Sequence, residues 1–139
     1  MIVLDTNVLS EAVKPEPNDR AFRWFRAQPR DKLFTTSISE AEILYGLRKM
    51  PRGERAQEKS AAVKAIFKVD LAGKVLGFDR DAARRYADIY VSRQEAGRPI
   101  SEFDAMIAAI AQSRGAVLAT RNVKHFVDCD VEIIDPWAA

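Results

Sequence analysis

The sequence predicts an α/β fold, a single domain built as a parallel sheet flanked by helices on both faces, and three observations carry that prediction. Short runs rich in β-branched and aliphatic residues alternate with longer segments of helical periodicity. The runs Ile2-Val3-Leu4 and Val117-Leu118-Ala119 are apolar throughout rather than alternating, the pattern of strands covered on both faces. Capping and turn residues separate the runs from the helices that follow. At 139 residues, with no repeat or long linker, the chain is expected to form one domain over residues 1–139, large enough to bury a core without disulfides.

Taken in order, Ile2 to Leu4 is expected as a strand, with Thr6 and Asn7 capping the helix after it. Lys14-Pro15-Glu16-Pro17 breaks that helix, and Asn18 or Asp19 caps a second, with Ala21, Trp24, Phe25 and Gln28 as its inward stripe. Leu33 to Thr36 has the composition of a strand. A third helix is expected from about Glu40 to Met50, with Ile43, Leu47 and Met50 on one face. Pro51-Arg52-Gly53 stops it, and a further helix from Glu54 to Phe67 completes a helical hairpin. Val75 to Phe78 reads as a strand, and Asp79 caps a long helix carrying Ala83, Tyr86, Ala87 and Tyr90. Ser101 opens the next, on which Phe103, Met106, Ile107 and Ile110 recur at helical spacing. Gly115 ends it as a C-terminal cap. A strand at Val117 to Ala119, a helical turn at Val123 to Phe126 and a last strand at Val131 to Ile134 complete the chain.

Composition narrows the function. An apolar fraction of 47% and a charged fraction of 30% are those of an ordinary globular domain. Cys129 is the only cysteine, which excludes an internal disulfide framework and suits a reducing compartment. The first apolar run stops at Asp5, too short for a signal peptide or a membrane span, so a cytoplasmic location is expected. A net charge of +2 does not by itself announce a nucleic-acid partner. Its cations do cluster, at Arg20, Arg23, Arg26, Arg30 and Lys32 and again from Arg48 to Lys59, where they either track phosphates or form solvated helix faces. No GxxxxGK[ST], GxGxxG or CxxC sequence occurs, so nucleotide-cofactor and zinc readings find no support.

Four polar signals stand out: Asp5, Glu42, Asp104 and the turn Thr120-Arg121-Asn122. Each adjoins a strand end or opens a helix. Right-handed crossovers bring the carboxyl ends of parallel strands to one edge, where such groups converge on a crevice. Carboxylates gathered without a Cys or His cluster select a hard cation, Mg²⁺ or Mn²⁺, which points to hydrolysis of phosphate esters. Every acid also has a plain structural reading. Asp5 can cap the following helix, Ser39-x-x-Glu42 matches a capping box, and Ser101-x-x-Asp104 nearly does. The two roles are compatible, because a helix N-terminus favours the ionised form that a metal ligand needs. His125 has no nucleophile partner and reads as a helix-end surface residue. Cys129 reads as inert, and Trp24 and Trp137 as packing anchors rather than base-stacking platforms.

These segments resemble the motifs of PIN domains. Ile2-Val3-Leu4-Asp5-Thr6-Asn7 is similar to the first, Ser37 to Gly46 to the second, Glu102 to Ala108 to the third and Ala119 to Phe126 to the fourth. The resemblance covers essentially the whole chain and extends to Asp135-Pro136-Trp137; it is greatest to VapC-type toxins of bacterial toxin–antitoxin pairs, in particular the FitB-like branch. It implies a Mg²⁺- or Mn²⁺-dependent ribonuclease restrained by a cognate antitoxin, a homodimer, and contact with operator DNA only through the antitoxin. Asp5, Glu42 and Asp104 take the acidic positions, with Asp5 and Asp104 holding the ion and Glu42 holding it or orienting water. The fourth position, often Asp in the family, is Asn122 here, beside Thr120 and Arg121 as phosphate contacts. Two other readings stay open: a non-catalytic module acting through antitoxin and DNA, and a haloacid-dehalogenase-like phosphatase, which wants an acid where this chain has Asn7.

Overall fold

The computed structural model describes all 139 residues. Five parallel strands stand in the order β3-β2-β1-β4-β5, with β1 at Ile2–Leu4, β2 at Leu33–Thr36, β3 at Val75–Leu76, β4 at Val117–Ala119 and β5 at Ile133–Ile134. The chain moves outward from β1 through β2 to β3, then returns to the other side of β1 for β4 and β5. The strand order therefore reverses between β1 and β4, and the crevice at their carboxyl ends is where a sheet of this kind binds ligands. Asp5 follows β1 and Thr120 follows β4.

The pleat of β1 divides the core. Val3 faces one side, with α5 (Arg80–Glu95) and α6 (Glu102–Ser113). Ile2 and Leu4 face the other, with α1 (Thr6–Ala12), α2 (Asp19–Ala27), α3 (Ser37–Lys49) and α4 (Glu54–Ala65). In α6, Ala105, Ala108, Ala109 and Ala111 are buried together with Ile107 and Ile110. Small side chains let this helix lie close to both the sheet and α5, so the first turn of α6, which carries Asp104, has a fixed place above the strand ends.

Several elements differ from expectation for identifiable reasons. Asp5, not Thr6 or Asn7, is the N-cap of α1, accepting from the Thr6 backbone N–H at 2.8 Å. Helix α3 begins at Ser37, directly after β2, because the Thr36 hydroxyl caps it by accepting from Ser39 N at 3.0 Å. Glu42 therefore lies beyond the first turn, and the Ser39–Glu42 capping box does not form. The inward stripe of α5 is Ala82, Ile89 and Arg93, with Tyr86 and Tyr90 half-buried, whereas Ala83 and Ala87 face outward. The edge strands β3 and β5 are shorter than the apolar runs that contain them, since each pairs on one side only. After α4 the chain continues through a wider helical turn at Ile66–Asp70.

Candidate active site

The motif Asp5-Thr6-Asn7 places three functional groups at the sheet switch point. Asp5 is almost completely buried, yet its carboxylate is well supplied with donors. The Thr120 hydroxyl donates to Oδ2 at 2.7 Å and Asn7 Nδ2 to the same oxygen at 3.2 Å, while Thr6 N–H donates to Oδ1. Burial pushes the Asp5 pKa from 3.8 up to about 6; the Thr120 hydroxyl and Thr6 N–H draw it back, and the charges of Asp104 and Glu42 raise it. Three acids from distant parts of the chain thus share one electrostatic neighbourhood.

Thr6 and Asn7 do more than open a helix. The Thr6 hydroxyl donates to Glu42 Oε1 at 2.7 Å and lies 3.0 Å from Ser39 Oγ, so β1 and α3 are joined through the side chain that orients Glu42. Asn7 Nδ2 bridges Asp5 and Thr120, and Asn7 Oδ1 accepts from the Arg121 backbone N–H at 3.1 Å. Thr120 is fully buried, its oxygen also accepting from Asn122 N at 3.0 Å. It therefore cannot reach a phosphate, contrary to its expected role; it is a support for Asp5.

On the opposite wall, Ser101 Oγ caps α6 by accepting from Asp104 N at 3.1 Å. The Asp104 carboxylate does not return to the helix start as a capping box would require. Its Oδ2 lies 3.2 Å from His125 Nδ1. His125 is exposed in a short helical turn, as expected, and is in addition a neighbour of Asp104. The turn bearing it, Val123–Phe126, is held by Arg93, whose buried guanidinium donates to the carbonyls of Arg98, His125 and Val127 at 2.7, 2.7 and 2.9 Å and to Cys129 Sγ at 3.4 Å. Cys129 is buried, and burial pushes its thiol above the ordinary range although Arg93 opposes the rise, consistent with an inert role.

Asp5, Glu42, Asp104 and Asn122 line one open cavity of about 370 Å³, together with Arg121 and Trp137. Trp137 packs against the core on one side, as anticipated, but its position in the cavity wall was not legible in a terminal Asp-Pro-Trp. Glu11 is a further acid in this wall. Burial raises its pKa, but the Asn18 N–H at 2.9 Å and Lys14 at 3.0 Å outweigh that and hold it below the ordinary value. Its carboxylate is committed to the loop between α1 and α2. No three acidic, His or Cys side chains approach closely enough to close around an ion as they stand. The donor set is nevertheless carboxylate and amide oxygen, which suits a hard divalent cation.

Residues 2–130 match the PIN domain. The chain belongs to the PIN domain family. This PIN domain is 40% identical to the VapC ribonuclease Y4jK of Sinorhizobium fredii, over 99% of the chain and 98% of that protein. It is 31% identical to the toxin FitB of Neisseria gonorrhoeae over 99% of each. The solved structure of FitAB bound to the IR36 DNA fragment superimposes on it with a TM-score of 0.91 at 31% identity, covering 99% of this chain and 96% of that one. No helix of this PIN domain is long and apolar enough to cross a membrane.

Proposed function

We propose that this PIN domain is an endoribonuclease dependent on Mg²⁺ or Mn²⁺ and the toxin of a toxin–antitoxin pair acting in the cytoplasm. The observation that carries the reading is the convergence of Asp5, Glu42 and Asp104, from β1, α3 and α6, on one cavity. Asp5 and Asp104 would hold the ion, and Glu42 would hold it or orient the attacking water. A bound divalent ion would acidify that water and offset charge developing on the phosphoryl oxygens. Thr120 and Asn7 fix one oxygen of Asp5, and Thr6 fixes one oxygen of Glu42. Asn122 offers a neutral amide where another carboxylate would add charge. The relatives named ribonuclease and toxin support both parts of the reading.

Single-stranded or looped RNA suits an open cavity better than an A-form helix, whose deep groove admits no side chains. An antitoxin would restrain the activity and provide the only link to operator DNA, in keeping with the DNA-bound FitAB structure. A groove of about 700 Å³ between α2 and α4, combining Phe22, Phe25, Ala62 and Ile66 with Arg26 and Arg55, offers an amphipathic segment of such a partner apolar anchors and a cationic rim. A homodimer belongs to the same reading: Leu44 and Tyr45 on α3 are exposed, an apolar face that a second copy would cover.

The test is to incubate the purified protein with cellular RNA and map the ends produced. Recurrent, metal-dependent cut positions support the proposal. A phosphorylated Asp5 would favour the phosphatase, and no cleavage combined with intact antitoxin and DNA binding would favour the non-catalytic module.

A further inference from the structure

Arg121 has no ion-pair partner. Its guanidinium carbon lies 5.1 Å from the centroid of the Trp137 ring, and no carboxylate approaches it within salt-bridge distance, although Glu11 stands across the same cavity paired to Lys14. Arg121 rests on an indole in the wall of the cavity that Asp5, Glu42 and Asp104 also line.

The pair is held from beneath. The Arg121 backbone N–H is fixed by Asn7 Oδ1. The Trp137 backbone N–H donates to Asp135 Oδ1 at 2.9 Å, the Trp137 carbonyl accepts from Arg20 at 3.4 Å, and Trp137 packs against the core cluster that contains Ile2 and Leu4. A half-buried aromatic ring with a guanidinium over it presents a cation–aromatic surface in the cavity wall. Such surfaces bind unpaired nucleobases by stacking, with arginine planes serving as well as aromatic rings. The cavity volume falls in the range of sites that hold a small organic ligand.

We infer that Arg121 and Trp137 form a stacking platform for one unpaired base next to the cleaved phosphodiester, so that the C-terminal turn is part of the substrate site. The inference rests on the ribonuclease reading and adds to it a residue pair that contacts substrate without touching the reacting atoms. Stacking is sequence-tolerant, so the platform would set the position of the strand rather than the identity of the base.

The experiment compares cleavage of a single-stranded RNA oligonucleotide with that of versions carrying one abasic nucleotide on either side of the cut. Trp137→Leu and Arg121→Met should each lower kcat/KM by about fivefold or more on the intact RNA, mainly through KM. On the RNA abasic at the contacted position the loss should shrink to less than about twofold, because the stacked group is already missing. Trp137→Phe should recover most of the loss. Equal losses on intact and abasic RNA, or none on either, would overturn the inference. A second readout uses Trp24→Phe, which leaves Trp137 as the only tryptophan, in an Asp104→Asn background. Intact RNA should quench its fluorescence more than RNA abasic at the contacted position. Such quenching without any cleavage by the wild type would leave the platform standing and remove the ribonuclease reading; cleavage without discrimination would do the reverse.

Discussion

Replacing Asp5 with Asn should make the metal-free protein more stable relative to wild type as pH rises, and by an amount that follows from burial. Asp5 has an ordinary pKa of 3.8 and a folded value of about 6. Below 3.8 the carboxyl is protonated in both folded and unfolded chains and contributes nothing. Between the two values the folded chain retains a proton that the unfolded chain releases, so wild-type stability falls as pH rises, and above about 6 the full cost is present. At about 1.4 kcal/mol per pH unit the difference is about 3 kcal/mol, most of it appearing between about pH 4 and 7.5. Asn carries no charge to desolvate, and its altered hydrogen bonding to Thr6 and Thr120 shifts stability by an amount independent of pH. The slope is therefore the test. Urea denaturation in EDTA at several pH values should show the variant gaining on wild type by about 2 to 3 kcal/mol over that interval. A difference that stays constant with pH, or that favours wild type at high pH, would refute the reasoning.

Thr120→Val keeps the volume but removes the hydroxyl on Asp5 and the acceptor for Asn122 N–H; it should cost about 1–2 kcal/mol in denaturation and move the acid limb of the cleavage pH profile upward. Arg93→Met takes the donor away from three backbone carbonyls at once and should destabilise by about 2 kcal/mol or more, measured by thermal melting. Asn122→Asp adds a carboxylate at the cavity and should tighten Mn²⁺ binding in calorimetric titration; equal or weaker binding would remove Asn122 from the metal environment.

Where the sequence was readable, local and global demands coincided. Ile2 to Leu4 is apolar because both faces of β1 are covered, and the polarity of Asp5 directly after it marks the strand end facing the crevice. Asp104 could be found because a helix start and an acid recur together. What escaped were side chains whose partners lie far away in sequence. Thr6 and Asn7 look like caps; only their contacts with Glu42 and Thr120, 36 and 113 residues distant, reveal them as supports of the acids. Arg93 looks like a surface charge on an amphipathic helix, because periodicity cannot announce that a guanidinium will be satisfied by carbonyls. His125 carried a faint signal, lying in the same short segment as Asn122, but nothing in spacing joined it to Asp104. The ends of β3 and β5 were misjudged because an apolar run records burial, whereas strand length also depends on where a partner strand stops.

The most direct test of a single centre built by Asp5, Glu42 and Asp104 is a parallel measurement of RNA cleavage by wild type, Asp5→Asn, Glu42→Gln and Asp104→Asn, with Mg²⁺ and with EDTA. Each substitution should reduce the metal-dependent rate by about 100-fold or more while the far-ultraviolet circular dichroism is unchanged, and EDTA should abolish cleavage by wild type. Full metal-dependent activity in any one of the three variants, or undiminished wild-type cleavage in EDTA, would contradict the account.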